Sequence, residues 1–203
     1  DDCRDVARDL REHNGFTLAE RAVIKARQGV ELITSGELLV VDHHGNEVPH
    51  DGQTIGEIVV RGNVVMKGYC NDPDATEQAM RGGWFHTGDA AVVHPDGYGE
   101  IRDRIKDVII SGGENISSVE VEGVLLRHPA VQEIAIVGMP HEKWGEAPHA
   151  FVVLLPGALL TEAELIEYAR DHMEHFKAPQ WVTFGSELPK TATGKIQKYV
   201  LRG

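Results

Sequence analysis

The run Gly83-Trp84-Phe85-His86-Thr87-Gly88-Asp89 places a carboxylate directly after a glycine in a turn-forming segment. A carboxylate held in such a turn can accept two charge-assisted hydrogen bonds from the vicinal hydroxyls of a ribose. The same residue could equally cap a turn before a strand. Asp89 is therefore a candidate nucleotide ligand with a purely structural alternative.

A second candidate is Lys195, in the segment Pro189-Lys190-Thr191-Ala192-Thr193-Gly194-Lys195. The segment is not a Walker A loop, because Pro189 stands where the first glycine would be and Ile196 follows the lysine. A lysine on a mobile glycine-containing loop could deliver a point charge to a transferring phosphoryl group. The alternative is a solvated surface lysine.

Two further candidates lie close together, at Arg104 and at Ser111-Gly112-Gly113. Paired glycines allow a ligand to approach the backbone closely, but they are also common in turns between a strand and a helix. Arg104 belongs to the charged cluster Arg102–Asp107, which separates two short β runs. Such a cluster is either a solvated hairpin turn or a hinge between two domains.

The elements that must position these residues follow from periodicity and capping signals. We expect strands over the runs GELLVVD, EIVVRG, EIAIVG, HAFVVLL and QWVTFG, and a hairpin between Trp84 and Asp103. Capping signals at Asp72-Pro73, Ser117 and Thr161 predict helices over DATEQAM, 118–127 and a third that includes Met173 and Phe176. Further helices are expected at 3–14 and after Thr17, and a loop between EIAIVG and HAFVVLL. This mixed order of hairpins and helices predicts an α+β fold.

Composition limits the possible partners. The chain has 203 residues, a net charge of −12 and two cysteines, Cys3 and Cys70. The negative charge argues against nucleic acid or an anionic membrane, and the absence of a disulfide framework fits a reducing cytoplasm. No apolar run reaches membrane-spanning length. The two histidine groups, His43, His44 and His50 and then His172 and His175, lack a third ligand at a spacing suited to a metal site.

Four motifs in this order resemble the acyl-CoA synthetases of the adenylate-forming superfamily. They are GEIVVRGNVVMKGY, GWFHTGD, DGYGEIRDRIKDVIISGGENISSVEVE and PKTATGKIQK, and the resemblance extends from about Ala26 to Arg202. The segment ISGGENISSVEVE is most similar to the fatty-acid and medium-chain acyl-CoA ligases. The resemblance implies ATP, coenzyme A, Mg²⁺ and a small carboxylic acid as cofactors and substrates.

The resemblance also assigns roles to individual residues. Asp89 and Arg104 are expected at the nucleotide, Lys106 at the hinge, Ser111, Gly112 and Gly113 along the coenzyme A path, and Lys195 in catalysis of adenylation. It implies a β-rich distal subdomain of the large N-terminal domain over 1–104 and a small α+β swinging domain over 105–203.

The phosphate loop, the acid pocket and the Mg²⁺ ligands of the family are not found in these residues and are expected upstream. The chain therefore reads as the C-terminal part of a ligase, inactive alone, in an enzyme that could form a homo-oligomer. The alternatives are a fatty acyl-AMP ligase and a non-catalytic nucleotide-binding or docking module.

Overall fold

The structure is a computed structural model, and it describes Thr17, Arg27, Gly29 and residues 36–203. The helices expected at 3–14 and after Thr17 lie outside these residues. The chain divides into two units, Asp1–Arg102 and Asp103–Gly203. The interpretation of 1–104 and 105–203 as parts of a larger ligase remains a prediction.

The first unit is built on a four-stranded sheet with the order β1-β2-β3-β4. Its strands are β1 (Glu37–Val41), β2 (Gly56–Arg61), β3 (Phe85–Val93) and β4 (Gly99–Arg104). Each neighbour in the sheet is also the neighbour in the chain, as expected for successive antiparallel hairpins. The small apolar core of this unit contains Val40, Val48, Ala91 and Val93.

Helix α1 (Pro73–Ala79) begins where the sequence predicts, with the Asp72 side chain accepting a hydrogen bond from the Ala75 amide. It ends at Ala79, and a separate 3₁₀ turn follows over Arg81–Gly83.

The second unit contains a five-stranded sheet in which β6, β5, β8 and β7 lie in that order and β9 pairs with β8. Its strands are β5 (Ile109–Ser111), β6 (Glu114–Ile116), β7 (Val131–His141), β8 (Gly145–Leu154) and β9 (Trp181–Gly185). The pair β8–β9 is parallel, and the intervening chain includes helix α3 (Glu162–His172). With helices α2 (Ser118–Leu125) and α4 (Lys198–Arg202), this gives the predicted α+β fold.

Alternation along β7 explains how this sheet is covered on both faces. Ile134 and Ile136 belong to the main core, which includes Leu165 and Ala169 of α3. Ala135, between them, packs in a second cluster with Leu188, Ile196 and Leu201. Successive side chains of a strand point to opposite faces, so the C-terminal segment covers one face of the sheet and α2 and α3 cover the other.

Three predicted features are wrong in this unit. Gly112 and Gly113 join two strands, β5 and β6, instead of a strand and a helix. The expected loop before HAFVVLL is instead the continuation of β7 and β8, with Gly138 paired to Pro148 and His141 to Gly145. Helix α3 ends at His172, so Phe176 lies beyond it and is exposed.

Candidate functional site

Asp89 lies on a β-bulge in β3. The register passes from Glu57 opposite Ala90 to Val59 opposite His86, so β3 has more residues than β2 over this interval. Gly88 takes a φ of +72°, a value that glycine adopts without steric cost. Bulges redirect a side chain and often lie next to active sites. The Thr87-Gly88-Asp89 segment thus forms a local irregularity in β3, and Asp89 lies on it.

Side chains satisfy the backbone groups that the bulge removes from the ladder. The Thr87 hydroxyl donates to the Ile58 carbonyl oxygen at 2.9 Å and accepts from the Asp89 amide at 3.1 Å. The Gly88 amide donates to Glu57 Oε1 at 3.1 Å. Sequence reasoning missed Glu57, although it lies in the motif GEIVVRG, because its contact partners become neighbours only when β2 and β3 pair.

The turn that carries Lys195 is closed by its own hydrogen bonds. The Thr191 amide donates to the Lys195 carbonyl at 2.8 Å, and the Gly194 amide donates to the Thr191 carbonyl at 2.9 Å. Lys190 and Ile196 form an isolated β-bridge at the base of the turn. Lys195 is exposed in this turn, and the expected mobility of the segment stays a prediction.

Helix α4 follows this turn and is held by two charged contacts within the second unit. Lys198 Nζ lies 2.7 Å from Glu122 Oε1 and 2.6 Å from the Ser118 hydroxyl oxygen. Arg202 pairs with Asp107 at 2.5 Å. Burial raises the pKa of the Glu122 carboxyl, while the Lys198 charge and the Ile136 amide act in the opposite direction. The Lys195 turn is thus flanked by an apolar cluster and by a helix with ionic anchors.

The predicted hinge segment forms a 3₁₀ turn over Ile105–Asp107, in which Lys106 is exposed. The side chains of Asp103 and Asp107, near this turn in the chain, contact Ser118 and Arg202. Asp103 is buried and accepts hydrogen bonds from the Ser118 amide and hydroxyl, both at 2.6 Å. A carboxylate at this position complements the N-terminus of α2.

Arg104 is exposed, and its amide donates to Asp103 Oδ1 at 2.8 Å. Gly112 and Gly113 form the turn between β5 and β6, with φ values of +61° and +93°. Ser111, just before them, is buried. Two successive positive φ values are the requirement of a type I′ hairpin turn, which explains the glycine pair.

The indole of Trp144 lies against this hairpin turn. The Gly112 amide donates to the Trp144 carbonyl at 2.9 Å, and the His141 ring stacks on the indole with centroids 4.4 Å apart. Sequence reasoning placed these residues in a loop and assigned them no role.

The described residues contain no group of three or more His, Cys, Asp or Glu side chains suited to a metal ion. Across the same part of the chain, no helix is long and apolar enough to cross a membrane.

Comparison with known proteins shows which proteins the chain resembles. Residues 120–195 match the model of the AMP-binding enzyme C-terminal domain. The chain is 53% identical to a probable acyl-activating enzyme 5, peroxisomal, of Arabidopsis thaliana, over 93% of this chain and 35% of the relative. Residues 120–195 therefore correspond to an AMP-binding enzyme C-terminal domain, and the chain as a whole is similar to acyl-activating enzymes.

Other similar proteins are covered to the same partial extent. A 2-methylpropanoate–CoA ligase of Humulus lupulus is 52% identical over 95% of this chain and 35% of its own length. The solved o-succinylbenzoate CoA synthetase of Bacillus subtilis, in complex with its acyl-adenylate intermediate, is 34% identical with a TM-score of 0.79. That match covers 93% of this chain and 38% of the synthetase. The chain therefore spans about a third of the length of the curated relatives named here.

Proposed function

We propose that this chain is the C-terminal part of an ATP-dependent acid–CoA ligase. In the proposed reaction a carboxylate attacks the α-phosphate of ATP and pyrophosphate leaves. The thiol of coenzyme A then attacks the acyl-adenylate carbonyl and AMP leaves. The observation that carries the proposal is an exposed lysine at the closing end of a hydrogen-bonded turn, within a segment matched to the AMP-binding enzyme C-terminal domain.

The proposed roles of the residues follow from the groups they present. Asp89, on its bulge, accepts hydrogen bonds from the ribose hydroxyls, and Arg104 lies at the nucleotide. Lys195 stabilises the negative charge that moves onto phosphate oxygens as pyrophosphate departs. Gly112 and Gly113, lacking side chains, leave room for the pantetheine arm, with Ser111 at the base of the turn.

The acid belongs to the fatty-acid and medium-chain class that the motifs resemble, and the relative named for 2-methylpropanoate favours small aliphatic members. We place the enzyme in the cytoplasm, although the Arabidopsis relative is named as peroxisomal. The Mg²⁺ ion that accompanies ATP would be held by residues outside this chain, and a homo-oligomer is compatible with the proposal.

Activity is expected only when the rest of the enzyme is present. The 203-residue chain contains no phosphate-loop motif, so we expect it to release no pyrophosphate from ATP and an acid. The complete enzyme, given a panel of aliphatic acids with ATP and coenzyme A, should yield AMP and acyl-CoA in equal amounts, measured by chromatography and mass spectrometry.

Each alternative gives a different result in that assay. Acyl-adenylate without acyl-CoA would indicate a fatty acyl-AMP ligase, and ATP binding without either product would indicate a non-catalytic module. Acid-dependent pyrophosphate release by the 203-residue chain alone would contradict the assignment as an incomplete part.

Asp89→Ala in the complete enzyme is expected to weaken ATP binding about ten- to a hundredfold. Loss of hydrogen bonds to a charged acceptor costs roughly 1.5–3 kcal/mol, which corresponds to this range. Isothermal titration with ATP measures the effect. An unchanged affinity would leave Asp89 with a structural role as a turn residue.

A further inference from the structure

We propose that Glu57 is a positioning residue that fixes the orientation of Asp89 toward the ribose. This inference rests on the proposed function, because it assigns Glu57 to the nucleotide subsite of Asp89. Glu57 does not contact the ligand in this proposal. It acts through the bulge that carries the ligating carboxylate.

The geometry of the bulge gives Glu57 this role. Its Oε1 atom accepts the hydrogen bond of the Gly88 amide at 3.1 Å. Gly88 directly precedes Asp89 and holds a φ of +72°. The conformation of Gly88 sets the direction in which the chain leaves the bulge, and hence the direction of the Asp89 side chain. A carboxylate that fixes the Gly88 amide therefore fixes Asp89 as well.

The second oxygen of the Glu57 carboxylate, Oε2, also has hydrogen-bonding partners. His86 Nδ1 lies 2.7 Å and Arg81 NH2 lies 2.9 Å from Glu57 Oε2. The side chains of Glu57 and His86 are each only 16% exposed, so water competes weakly for these contacts. One carboxylate thus connects the 3₁₀ turn, the start of β3 and the tip of the bulge.

A ligating group held in its bound direction loses less entropy on binding than one that must be ordered by the ligand. Without Glu57 the Gly88 amide loses its acceptor, and the left-handed glycine conformation loses the contact that selects it. The bulge would then adopt several conformations, and only some would point Asp89 at the ribose. The expected consequence is weaker recognition of the ribose hydroxyls with the reacting groups unchanged.

The test is a double-mutant cycle in the complete enzyme between Glu57→Ala and Asp89→Ala. We expect Glu57→Ala to raise the KM for ATP roughly tenfold, with a much smaller change in kcat for adenylation. In the Asp89→Ala background, Glu57→Ala should add less than about a twofold change, because residues that act through one another are not additive. With 2′-deoxy-ATP the effect of Glu57→Ala should shrink, because part of the contact it supports is already missing.

Two variants complete the experiment. Glu57→Gln retains one acceptor oxygen and should show an intermediate KM, and it replaces Glu57→Ala in the cycle if that variant does not fold. Glu37→Gln removes the charge of a more exposed carboxylate that pairs with Arg61 on the same sheet. This control should leave the KM for ATP unchanged.

The possible results distinguish a failure of the proposed function from a failure of the proposal for Glu57. If the wild-type enzyme forms no acyl-adenylate, the proposed function fails. If the wild type is active but Glu57→Ala has the same effect with and without Asp89, or the same effect on ATP and 2′-deoxy-ATP, then Glu57 only supports the fold and the inference is overturned.

Discussion

Lys195→Ala in the complete enzyme is expected to slow acyl-adenylate formation by about a hundredfold or more, by analogy with the loss of one electrostatic stabiliser. Negative charge moves onto phosphate oxygens as pyrophosphate leaves, so an ammonium group placed there stabilises the transition state more than the ground state. Thioester formation from preformed acyl-adenylate should be nearly unchanged. Single-turnover assays of the two half-reactions measure these rates separately.

The chain offers a matched control for Lys195 in the same turn. Lys190 pairs with Glu133 at 2.6 Å on the surface, and exposed ion pairs of this kind contribute little. Lys190→Ala should therefore keep adenylation within about threefold of wild type. An equal fall of both half-reactions in Lys195→Ala would contradict a role confined to adenylation.

Lys106→Pro in the complete enzyme is expected to separate the two half-reactions, with adenylation retained and transfer to coenzyme A lost. Two half-reactions at one site need two sets of groups presented in turn, and a rotation at one backbone position can supply them. Proline fixes φ near −65°, which suits the 3₁₀ turn at Ile105–Asp107 but prevents a large rotation. Adenylate formation and thioester release are measured separately.

The control for the hinge is Lys106→Ala, which removes the side chain but leaves the backbone free to rotate. It should retain both half-reactions, so a loss in Lys106→Pro alone is assigned to φ. Wild-type rates of both reactions in Lys106→Pro would place the pivot elsewhere. Asp103 and Asp107 are weak candidates for it, because Ser118 and Arg202 hold their side chains.

Local signals in the sequence predicted local structure well. Asp72 and Thr161 are both helix caps, and the Thr161 side chain and Glu164 form the complete capping box. These motifs depend on residues three positions apart, so they can be recognised without knowledge of the fold. The apolar runs of β1 and β2 were likewise recognisable from neighbouring residues alone.

The wrong predictions arose where loop-like composition lies inside a sheet. Pro140, Gly145 and Pro148 are typical of turns, yet they lie in β7 and β8. Pro140 is tolerated because β7 is at the edge of the sheet, where a missing amide donor need not break a ladder. Gly112-Gly113 was misassigned because β6, the strand that follows it, has only three residues, which are too few to show a periodic pattern.

The candidate site divides in the same way. Asp89 and Lys195 could be proposed as site residues because their motifs are contiguous in sequence. The bulge and the contacts of Glu57 were not predicted, because they depend on which distant strands pair and how side chains meet across them. The parallel pairing of β8 and β9 is equally nonlocal.

The anchoring of α4 has a consequence for building hybrid enzymes by domain exchange. Asp103 and Asp107 contact Ser118 and Arg202, residues far downstream in the same unit. A crossover placed after Val108 would take Asp103 and Asp107 from one parent and Ser118 and Arg202 from the other. Neither contact would then join residues from the same parent. A crossover ahead of Asp103 would transfer the start of the unit, α2, the lysine turn and α4 as one inherited set of contacts.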